Sequence, residues 1–593
     1  MSTVGGTYQA TAPEVVVNGT AVLTPVKGVS STTSYTTRYS TNRGTSFIQP
    51  YDTYEAGAFR ATYPPDGAQG SEAWNQTIYR LFRSQLNYNT VLSGKHEVNI
   101  LAGFQSEETK QSSFSASRRN YSFPGYNNLD NGDPSTASNS GSTQELAIAS
   151  VFSRVNYSYS GKYLLELDGR WDASSRFAPK NRWGFFPSAS VGWNISEEKF
   201  MSRLKPVLSN LKIRSSYGLL GNQNLGSYYP YVSTIDLGWS YWFDKQLNSG
   251  GAQTILANPQ ITWEKSRQFD VGVDAGFFKH SLTLTFDYYR RYIYDMLQQL
   301  PVPYVVGMGA PFVNAGSMEN KGWELALGYN NKLGNLKYSV NAMLSDVKNK
   351  VLDLHGKQYI GTTVIKEGYA INSYYGYLSS GYFQTQDDIN NWPIQFGTKP
   401  ADRANTKPGY IKYLDLNNSG IVNDSDRVVL GNPFPRYEYS ADVKLNWQGF
   451  DLDVFLQGVG KRNYFISGYG AQPFYVGGTI FKSQTDTWSP DNPNAKFPLL
   501  LIDGSGINPN WKLSDKWLAN AAYLRLKLVT LGYTMPKGIS DKIKVNSIRI
   551  YLSAQNLFTF SNFYQGYDVE GQVSGGEFYP IMKTTTLGVN VNF

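Results

Sequence analysis

The segment Ser281–Leu297 reads SLTLTFDYYRRYIYDML, and its pattern decides the fold class. Apolar and aromatic side chains at alternate positions share one face, at Leu282, Leu284, Phe286, Tyr288, Tyr292 and Tyr294. The opposite face is mainly polar, with Thr283, Thr285, Asp287, Tyr289 and Arg291. Alternation with a period of two predicts a β-strand that has one apolar and one polar face. The stretch is much longer than the strand of about 5–6 residues that is usual in soluble domains.

The same alternation recurs along the chain, at Tyr163–Trp171, at Tyr523–Thr534 and at the C-terminal Leu587–Phe593. Short turn-like connections lie at 92–95, 160–162, 278–280, 332–335 and 448–450. Long polar connections lie at about 114–142, 220–260, 297–314, 349–433, 463–519 and 561–580. Long strands joined alternately by short turns and long loops are typical of outer-membrane β-barrels. We therefore predict an all-β transmembrane antiparallel barrel with about 15–16 strands, short periplasmic turns and long extracellular loops.

Composition excludes several other classes of protein. The 593 residues include no Cys, which excludes a disulfide scaffold and Cys-ligated zinc. Charged residues are 17% and aromatic residues 15%, with 44 Tyr, which suits aromatic girdles at a membrane interface. The net charge of +8 is spread along the chain, so no nucleic-acid footprint is predicted. No apolar run is long enough for a transmembrane helix.

A large soluble all-β protein, such as a sandwich or a propeller, is the alternative fold. Propellers repeat a blade signature about every 40–50 residues, and the sequence has no such repeat. The long strands also argue against this alternative.

Several motifs occur in a characteristic order from about residue 75 to the end of the chain. They are RWDASSRF (170–177), NRWGFFPS (181–188) with GW (192–193), LKIRSSYG (211–218) with GNQ (221–223), NP (258–259) with TWE (262–264), NAGSMENKGWE (314–324), YLRLK (523–527), QNLF (555–558) and the terminal Phe593. Together they resemble the C-terminal barrel of SusC/RagA-like TonB-dependent outer-membrane transporters. This resemblance implies a 22-stranded barrel, preceded by a signal peptide, a small domain, a TonB-contacting segment and a plug.

The resemblance also sets the expected domain organisation. Residues 71–593 are expected to form the C-terminal portion of the barrel, with large extracellular loops at 349–433 and 463–519. Residues 1–70 are rich in Ser, Thr, Gly and Tyr, and we expect a loop-rich barrel segment with room for one further strand. Since neither a plug nor a signal peptide is recognisable, the chain is expected to be a fragment or one part of a split gene.

The resemblance implies a nutrient importer of the outer membrane rather than an enzyme. Its cargo would be oligosaccharides or peptides, its energy would come from the TonB complex through the N-terminal part, and a SusD-like surface lipoprotein would cover it. The alternative is a barrel that does not transport and acts as an adhesin or a scaffold through its surface loops. An outer-membrane enzyme would need a nucleophile with a base beside it, and no such pair is visible around His96, His280 or His355.

A short segment has the oxygen spacing of a calcium loop. Oxygen ligands occur at loop positions 1, 3, 5, 7, 9 and 12, at Asp415, Asn417, Ser419, the Ile421 carbonyl, Asn423 and Asp426. Gly420 stands at position 6, where such a loop turns sharply. With two charged ligands, this predicts structural Ca²⁺ binding with a dissociation constant on the order of 10⁻⁴ to 10⁻³ M. The alternative is an Asn/Gly/Asp turn cluster without a metal.

Two further groups are candidates for contacts with cargo or a partner. The first is an aromatic cluster in a long loop, which could stack on sugar rings or cover a partner protein, at Trp239, Tyr241, Trp242 and Phe243. The alternative for this cluster is packing within the loop or a place in an interface girdle, and the usual burial of aromatic residues favours it. The second is the polar strand face that would line the lumen, at Glu166, Asp168, Arg170, Asp287, Arg291 and Arg525.

Overall fold

The computed structural model describes residues 6–55, 57–123, 126–299, 302–356, 359–501, 508–563, 567–571 and 581–593. Strands dominate these residues. The first half contains β1 Thr7–Thr11, β2 Glu14–Val26, β3 Val29–Ile48, β4 Tyr51–Glu55, β5 Ala58–Tyr63, β6 Gln69–Leu92, β7 His96–Arg119, β8 Ser138–Tyr159, β9 Tyr163–Ser174, β10 Trp183–Asn194, β11 Leu208–Asn222, β12 Asp236–Phe243, β13 Gln246–Ala252, β14 Glu264–Phe277, β15 Leu282–Tyr294, β16 Leu297–Gln299 and β17 Phe312–Asn314.

The second half contains the remaining strands. They are β18 Ser317–Leu333, β19 Leu336–Asp353, β20 Tyr359–Ile360, β21 Thr363–Ile365, β22 Ser373–Gly376, β23 Ser379–Tyr382, β24 Ile394–Gln395, β25 Ile411–Tyr413, β26 Ile421–Val422, β27 Val428–Gly431, β28 Arg436–Trp447, β29 Phe450–Lys461, β30 Asn463–Phe465, β31 Leu518–Asn520, β32 Tyr523–Thr534, β33 Ser547–Ser561 and β34 Thr584–Asn592.

Helices are few and short. The α-helices are α1 Gln386–Asn390 and α2 Lys537–Ser540. Single 3₁₀ turns lie at Leu129–Asn131, Pro134–Thr136, Pro179–Asn181, Ile195–Glu197, Lys199–Met201, Tyr304–Val306, Pro400–Asn405, Asp424–Asp426, Gly468–Gly470, Tyr475–Gly477, Lys482–Gln484, Pro509–Trp511, Asp515–Trp517 and Asp541–Ile543. In the part of the chain that the structure describes, no helix has the length and apolar character to cross a membrane.

The long strands confirm the predicted antiparallel all-β fold. From β6 to β34, fifteen strands have nine or more residues, which agrees with the predicted number. The deciding segment forms β15, and the predicted strand Tyr523–Thr534 is β32. Between β6 and β7 the chain reverses through Ser93 and Gly94, both with positive φ, as the tight hairpin turn requires.

The first 70 residues hold more strand than predicted, and the expectation of a loop-rich segment is corrected. β2 pairs with β3 from Glu14↔Ser40 to Val26↔Val29, and β3 pairs along its full length with β6. These strands escaped prediction because Ser and Thr occur on both faces of β3, which weakens the contrast between an apolar and a polar face. Thr and Tyr nevertheless suit a pleated strand.

The chain divides into two compact units. The first comprises the described residues of 1–192, 216–267 and 294–315. Its ladder is antiparallel, and β3 pairs in turn with β6, β6 with β7, β7 with β8 and β8 with β9. The second comprises 193–215, 268–293 and the described residues of 316–593. Its antiparallel ladder runs β18, β19, β28, β29, β32, β33, β34.

The buried hydrophobic residues lie mainly in loops and at strand ends rather than between layers of sheet. On β34, Leu587 is 75% and Val589 58% exposed, and Leu552, which pairs with Leu587 on β33, is 50% exposed. A soluble protein would bury such a ridge of aliphatic side chains, whereas lipid accepts it. The largest buried cluster lies instead in the loops at 349–433 and 463–519.

Candidate functional site

In the second unit, an arginine and three aspartates form a charged group on the polar face of the sheet. Arg214 on β11 contacts Asp274 on β14 (Nε to Oδ2, 3.1 Å) and Asp287 on β15 (Nη1 to Oδ1, 2.6 Å). Asp270, also on β14, lies 3.6 Å from Nη1. We call Arg214, Asp270, Asp274 and Asp287 the arginine cluster. The cluster borders a cavity of about 540 Å³ that is also lined by Arg291.

The arginine cluster brings together a predicted residue with three that the prediction missed. Asp287 and Arg291 were both expected on the polar face, and both line this cavity. Sequence analysis did not identify Arg214, Asp270 or Asp274. The signal was present in DVGVD (270–274), which places a carboxylate on either side of Gly272 at alternate positions.

Gly272 makes the arginine cluster sterically possible. A Cβ atom at this position would lie 2.4 Å from Asp287 Oδ1 and 2.6 Å from Arg214 Cζ. The ion pair therefore crosses β14 directly above the glycine, and any larger side chain would occupy its place.

Arg525 lies at the centre of a second network in the same unit. Its side chain is 3% exposed and contacts Asp568 at 2.7 Å and also Glu570. Lys527 Nζ lies 2.7 Å from Glu570, and the Tyr523 hydroxyl donates to the same carboxylate at 2.9 Å. This network ties the described segment 567–571 to the beginning of β32.

In the first unit, the predicted polar-face residues pair with neighbours on the same strand or on the adjacent one. Arg154 on β8 contacts Asp168 at 2.6 Å and Glu166 at 3.9 Å. Arg170 contacts Asp172 at 2.8 Å and donates to Ser150 Oγ at 2.8 Å. Such balanced charge makes a hydrophilic wall.

The motif residues of the first unit fold into one packed group. Phe177 and Ile261 are fully buried, and Trp263 packs against Phe177 and Phe186 with ring centroids 5.4 and 5.3 Å apart. Trp263 Nε1 donates to the Arg182 carbonyl at 2.8 Å. These motifs, distant in sequence, therefore hold the bases of several loops together.

Asn314 acts as a clamp in this motif group. Its Oδ1 accepts from the Thr262 amide, and its Nδ2 donates to the Thr262 carbonyl, each at 2.8 Å. Nδ2 also donates to the Asp295 carbonyl at 3.0 Å. The Asn314 side chain therefore hydrogen-bonds the backbone of Thr262 and of Asp295 as a neighbouring strand would.

The loops at 349–433 and 463–519 pack together into a structure that we call the loop cap. Its core contains Tyr377, Ile411, Tyr413, Phe497 and Trp517, each less than 5% exposed. Hydrogen bonds join the two loops, and the Tyr413 hydroxyl donates to the Pro509 carbonyl at 2.7 Å. Burial raises the pKa of the Tyr413 and Tyr377 hydroxyls. The loops were predicted as polar connections, and the aromatic core makes them a folded surface instead.

The segment Asp415–Asp426 forms a compact turn whose side-chain oxygens accept from backbone amides. Asp426 is fully buried, and its carboxylate accepts from the amides of Leu416 at 2.9 Å and Asn423 at 2.8 Å. Asp415 accepts from the amides of Ser419 at 3.1 Å and Gly420 at 2.7 Å. Gly420 has a φ of +80°, as the predicted sharp turn requires.

The remaining loop oxygens are engaged in the same way. Asn417 Oδ1 accepts from the Ser419 amide, Ser419 Oγ donates to the Ile421 carbonyl, and Asn423 Oδ1 accepts from the Ser425 amide. Across the described ranges no group of three or more His, Cys, Asp or Glu residues gathers for a metal. Calcium binding by this loop therefore stays a prediction.

The predicted aromatic cluster lies on a projecting hairpin of the first unit, formed by β12 and β13. We call residues 236–252 the aromatic hairpin. Trp239, Tyr241, Trp242 and Phe243 are 60–67% exposed, and their contact with cargo, a partner or a membrane interface stays a prediction. The rings of Tyr241 and Phe243 lie 4.8 Å apart, and the turn at 244–245 has two residues with positive φ.

The histidines show no catalytic arrangement in the described residues. His96 Nδ1 hydrogen-bonds the Tyr157 hydroxyl at 2.8 Å, and His355 pairs with Asp353 at 3.1 Å. These are contacts near turns and strand ends.

Long antiparallel strands with lipid-compatible aliphatic ridges, charge-paired polar faces and large loops define an outer-membrane β-barrel protein. The family model described as TonB dependent receptor-like, beta-barrel matches residues 6–557. The chain belongs to this family of TonB-dependent receptor-like β-barrels. The resemblance to SusC/RagA-like proteins is supported by similarity to SusC and by the fold of RagAB.

Relatives of known description are similar over most of this chain. TonB-dependent receptor P3 of Formosa agariphila is 29% identical over 584 residues, covering 93% of this chain and 56% of the relative. TonB-dependent receptor SusC of Bacteroides thetaiotaomicron is 28% identical over 472 residues, covering 75% of this chain and 44% of SusC. The chain thus spans about half the length of the curated relatives it matches.

Solved structures show the same fold. A structure of the RagAB peptide transporter matches with a TM-score of 0.83 at 23% identity, covering 99% of this chain and 62% of that chain. The RagAB peptide importer in its open-open state matches with a TM-score of 0.82. The fold predicted from the sequence motifs is confirmed by these matches.

Proposed function

We propose that this protein forms the barrel of an energised nutrient importer for oligosaccharides or peptides. The observation that carries the proposal is the charge-paired polar face of long strands in a family of outer-membrane transporters. Hydrophilic cargo needs such a surface inside a membrane barrel. Energy would come from the TonB complex, acting on the part of the importer that contacts TonB.

A SusD-like surface lipoprotein is the proposed partner. Support comes from the match to RagAB, which is described as a peptide transporter, and from the similarity to SusC. The loop cap offers a folded surface for such a partner, because its core keeps the surface in one shape.

Deleting the gene in its host tests the import proposal. The expected result is loss of growth on at least one oligosaccharide or peptide mixture as the nutrient, restored by the intact gene. An uncoupler of the proton gradient should abolish the same uptake, whereas it would not affect passive diffusion. Unchanged uptake of every nutrient, with the protein present in the outer membrane, would refute the proposal.

The second candidate is an adhesin or scaffold. The aromatic hairpin favours it, because Trp239 and Trp242 are exposed on a projecting structure without a described partner. Under this alternative, deletion would impair cell adhesion or surface assembly and leave uptake intact.

Structural Ca²⁺ at the Asp415–Asp426 segment belongs to the same proposal. The donor set is made of oxygen atoms alone, as Ca²⁺ prefers. Asp426 is a fully buried carboxylate, and among the described residues no Lys, Arg or His side chain forms an ion pair with it or with Asp415. Asp415, Asn417, Ser419, Asn423, Asp426 and the Ile421 carbonyl would hold the ion, which would stabilise the loop cap.

A further inference from the structure

Strand β19 has an open edge in its C-terminal part. Its pairing with β18 continues to Asp353, whereas its pairing with β28 ends at Ser345↔Glu438. Residues 346–353 therefore have a strand on one side and none on the other. Such an edge presents backbone donors and acceptors to any extended chain that lies beside it.

A loop covers the far end of this edge and leaves the middle open. The Val351 amide donates to the Tyr369 carbonyl at 2.8 Å, and the Val351 carbonyl accepts from the Gly368 amide at 2.9 Å. Because backbone groups alternate between the two sides of a strand, those of Val347 and Asn349 face the same side as those of Val351. The Ile371 amide of the same loop donates to the Asn349 side chain (Oδ1, 2.7 Å). Among the described residues, no backbone–backbone bond from the loop reaches the amide or the carbonyl of Asn349.

A cavity of about 690 Å³ occupies the space beside the open edge. Ligand sites commonly enclose about 300–1,000 Å³. The edge residues Val347, Lys348, Asn349 and Lys350 line it, and Lys461 contributes from the end of β29. The cavity therefore offers backbone groups and side chains to the same ligand.

The charge of this cavity is one-sided. Among the described residues that line it there is no carboxylate, and the cations are Lys348, Lys350, Arg436 and Lys461. Arg436 is neutralised by Asp346 outside the lining. In the described ranges no ion pair is formed by Lys348, Lys350 or Lys461. Glu319, which lies opposite Lys350 on β18, is already held by Arg290 and Lys321.

We propose that the open edge of β19 binds an extended acidic peptide by strand addition. The backbone of the peptide would pair with Val347 and Asn349. Its acidic side chains would occupy every second position, beside Lys348 and Lys350, which share one face of the strand. In naming a peptide as cargo, this rests on the proposed import function, and the binding step itself can be measured without transport.

Fluorescence anisotropy with the intact chain in detergent micelles tests the proposal. The probe is a fluorescein-labelled octapeptide in which Glu and Thr alternate. The comparison peptide has the same composition with Glu in adjacent pairs, so that no two Glu are two residues apart. Opposite charges across strands contribute about 0.2–1 kcal/mol each, so the alternating peptide should bind roughly two- to fivefold more tightly. N-methylation of alternate peptide amides should weaken binding by more than roughly tenfold, because strand addition needs those donors.

The variant Lys350→Glu should weaken binding of the alternating peptide by roughly three- to tenfold, because an attraction becomes a repulsion. Lys332→Glu, at the β18–β19 turn outside the cavity, makes the same charge change and should leave binding unaltered. If K350E no longer shows heat-modifiable migration on gels, K461E takes its place.

Equal binding of the two peptides, equal effects of K350E and K332E, or no measurable binding would each overturn the edge site. None of these results touches the import proposal, which is tested by uptake. Unchanged uptake after deletion of the gene, together with intact peptide binding, would conversely refute import and leave the edge site standing.

Discussion

Replacing Gly272 by Ala should destabilise the second unit by opening the ion pair above it. The added Cβ would lie 2.4 Å from Asp287 Oδ1, 2.6 Å from Arg214 Cζ and 2.7 Å from Arg214 Nη1. These contacts are shorter than non-bonded atoms tolerate. Because the long side chains can move aside, we expect the substitution to break the ion pair and to leave the strand itself intact.

The magnitude follows from the burial of the pair. The Arg214 side chain is 32% and the Asp287 side chain 18% exposed. Exposed pairs contribute up to about 1 kcal/mol, whereas breaking a buried pair costs about 3–5 kcal/mol. For this half-buried pair we expect a loss of about 1–3 kcal/mol in the free energy of unfolding.

The assay is urea unfolding in lipid vesicles, followed by tryptophan fluorescence. Gly19→Ala is the matched control, because Gly19 is also a strand glycine and a Cβ there meets nothing within 4 Å. Arg214→Met combined with Gly272→Ala should cost less than the sum of the two single changes, because each removes the same pair. Equal free energies of unfolding for G272A and G19A would refute the reasoning.

Three other predictions concern the motif group and the loop cap. Asn314→Ala should lower the free energy of unfolding by about 2–3 kcal/mol, because it leaves the backbone amide and carbonyl of Thr262 unpaired in part-buried surroundings. Urea unfolding measures this loss, and a change below about 0.5 kcal/mol would contradict the role of Asn314 as a clamp. Calcium should raise the melting temperature of the loop cap with half-saturation on the order of 10⁻⁴ to 10⁻³ M. The variant Asp426→Asn should abolish that rise, and an identical calcium response in both proteins would refute the predicted metal site. Burial opposes ionisation of Asp388, but the Lys412 ammonium and the Gln384 amide outweigh it and hold the pKa of Asp388 below its usual value of 3.8. This contribution to stability is present above the unfolded pKa and is lost as the pH falls through the lower folded pKa, so acid unfolding of Asp388→Asn, followed by fluorescence, should lack this step.

The strands could be predicted because their pattern is local. In β15 and β32, the face on which each residue lies follows from the alternation of apolar and polar neighbours. Lipid on one side makes the chemical difference between the two faces large. The early strands β2 and β3 lack this contrast, and only their pairing partners reveal them. Local pattern therefore finds a strand when its two faces differ in chemistry.

The loop cap could not be predicted because its core is assembled from distant residues. Tyr413 reaches the Pro509 carbonyl, and Ile411 donates its amide to Asn510 Oδ1 at 2.8 Å. About a hundred residues separate the partners, and strands β28 and β29 lie between them in the sequence. No periodicity marks such a core, so the same residues were read as connections. Exposure of the aromatic hairpin likewise does not follow from the residue types alone, since burial of an aromatic residue is a tendency and not a rule.

A glycine beneath an ion pair is a feature that cannot be recognised from the sequence alone. The device recurs at Gly532, where a Cβ would lie 2.5 Å from Asp451 Oδ1 and 2.6 Å from Arg549 Nη2. Here too the pair crosses an intervening strand, with Arg549 Nε 2.9 Å from Asp451 Oδ1. Glycine weakens a strand by itself, but a strand glycine such as Gly19 has open space around it, so glycine alone does not indicate an ion pair. The charged partners become visible only when the register aligns three strands, because the two members of the second pair are 98 residues apart. The ion pair and the glycine below it therefore form one structural element. Substitution of any one of the three residues should alter the contacts of the other two.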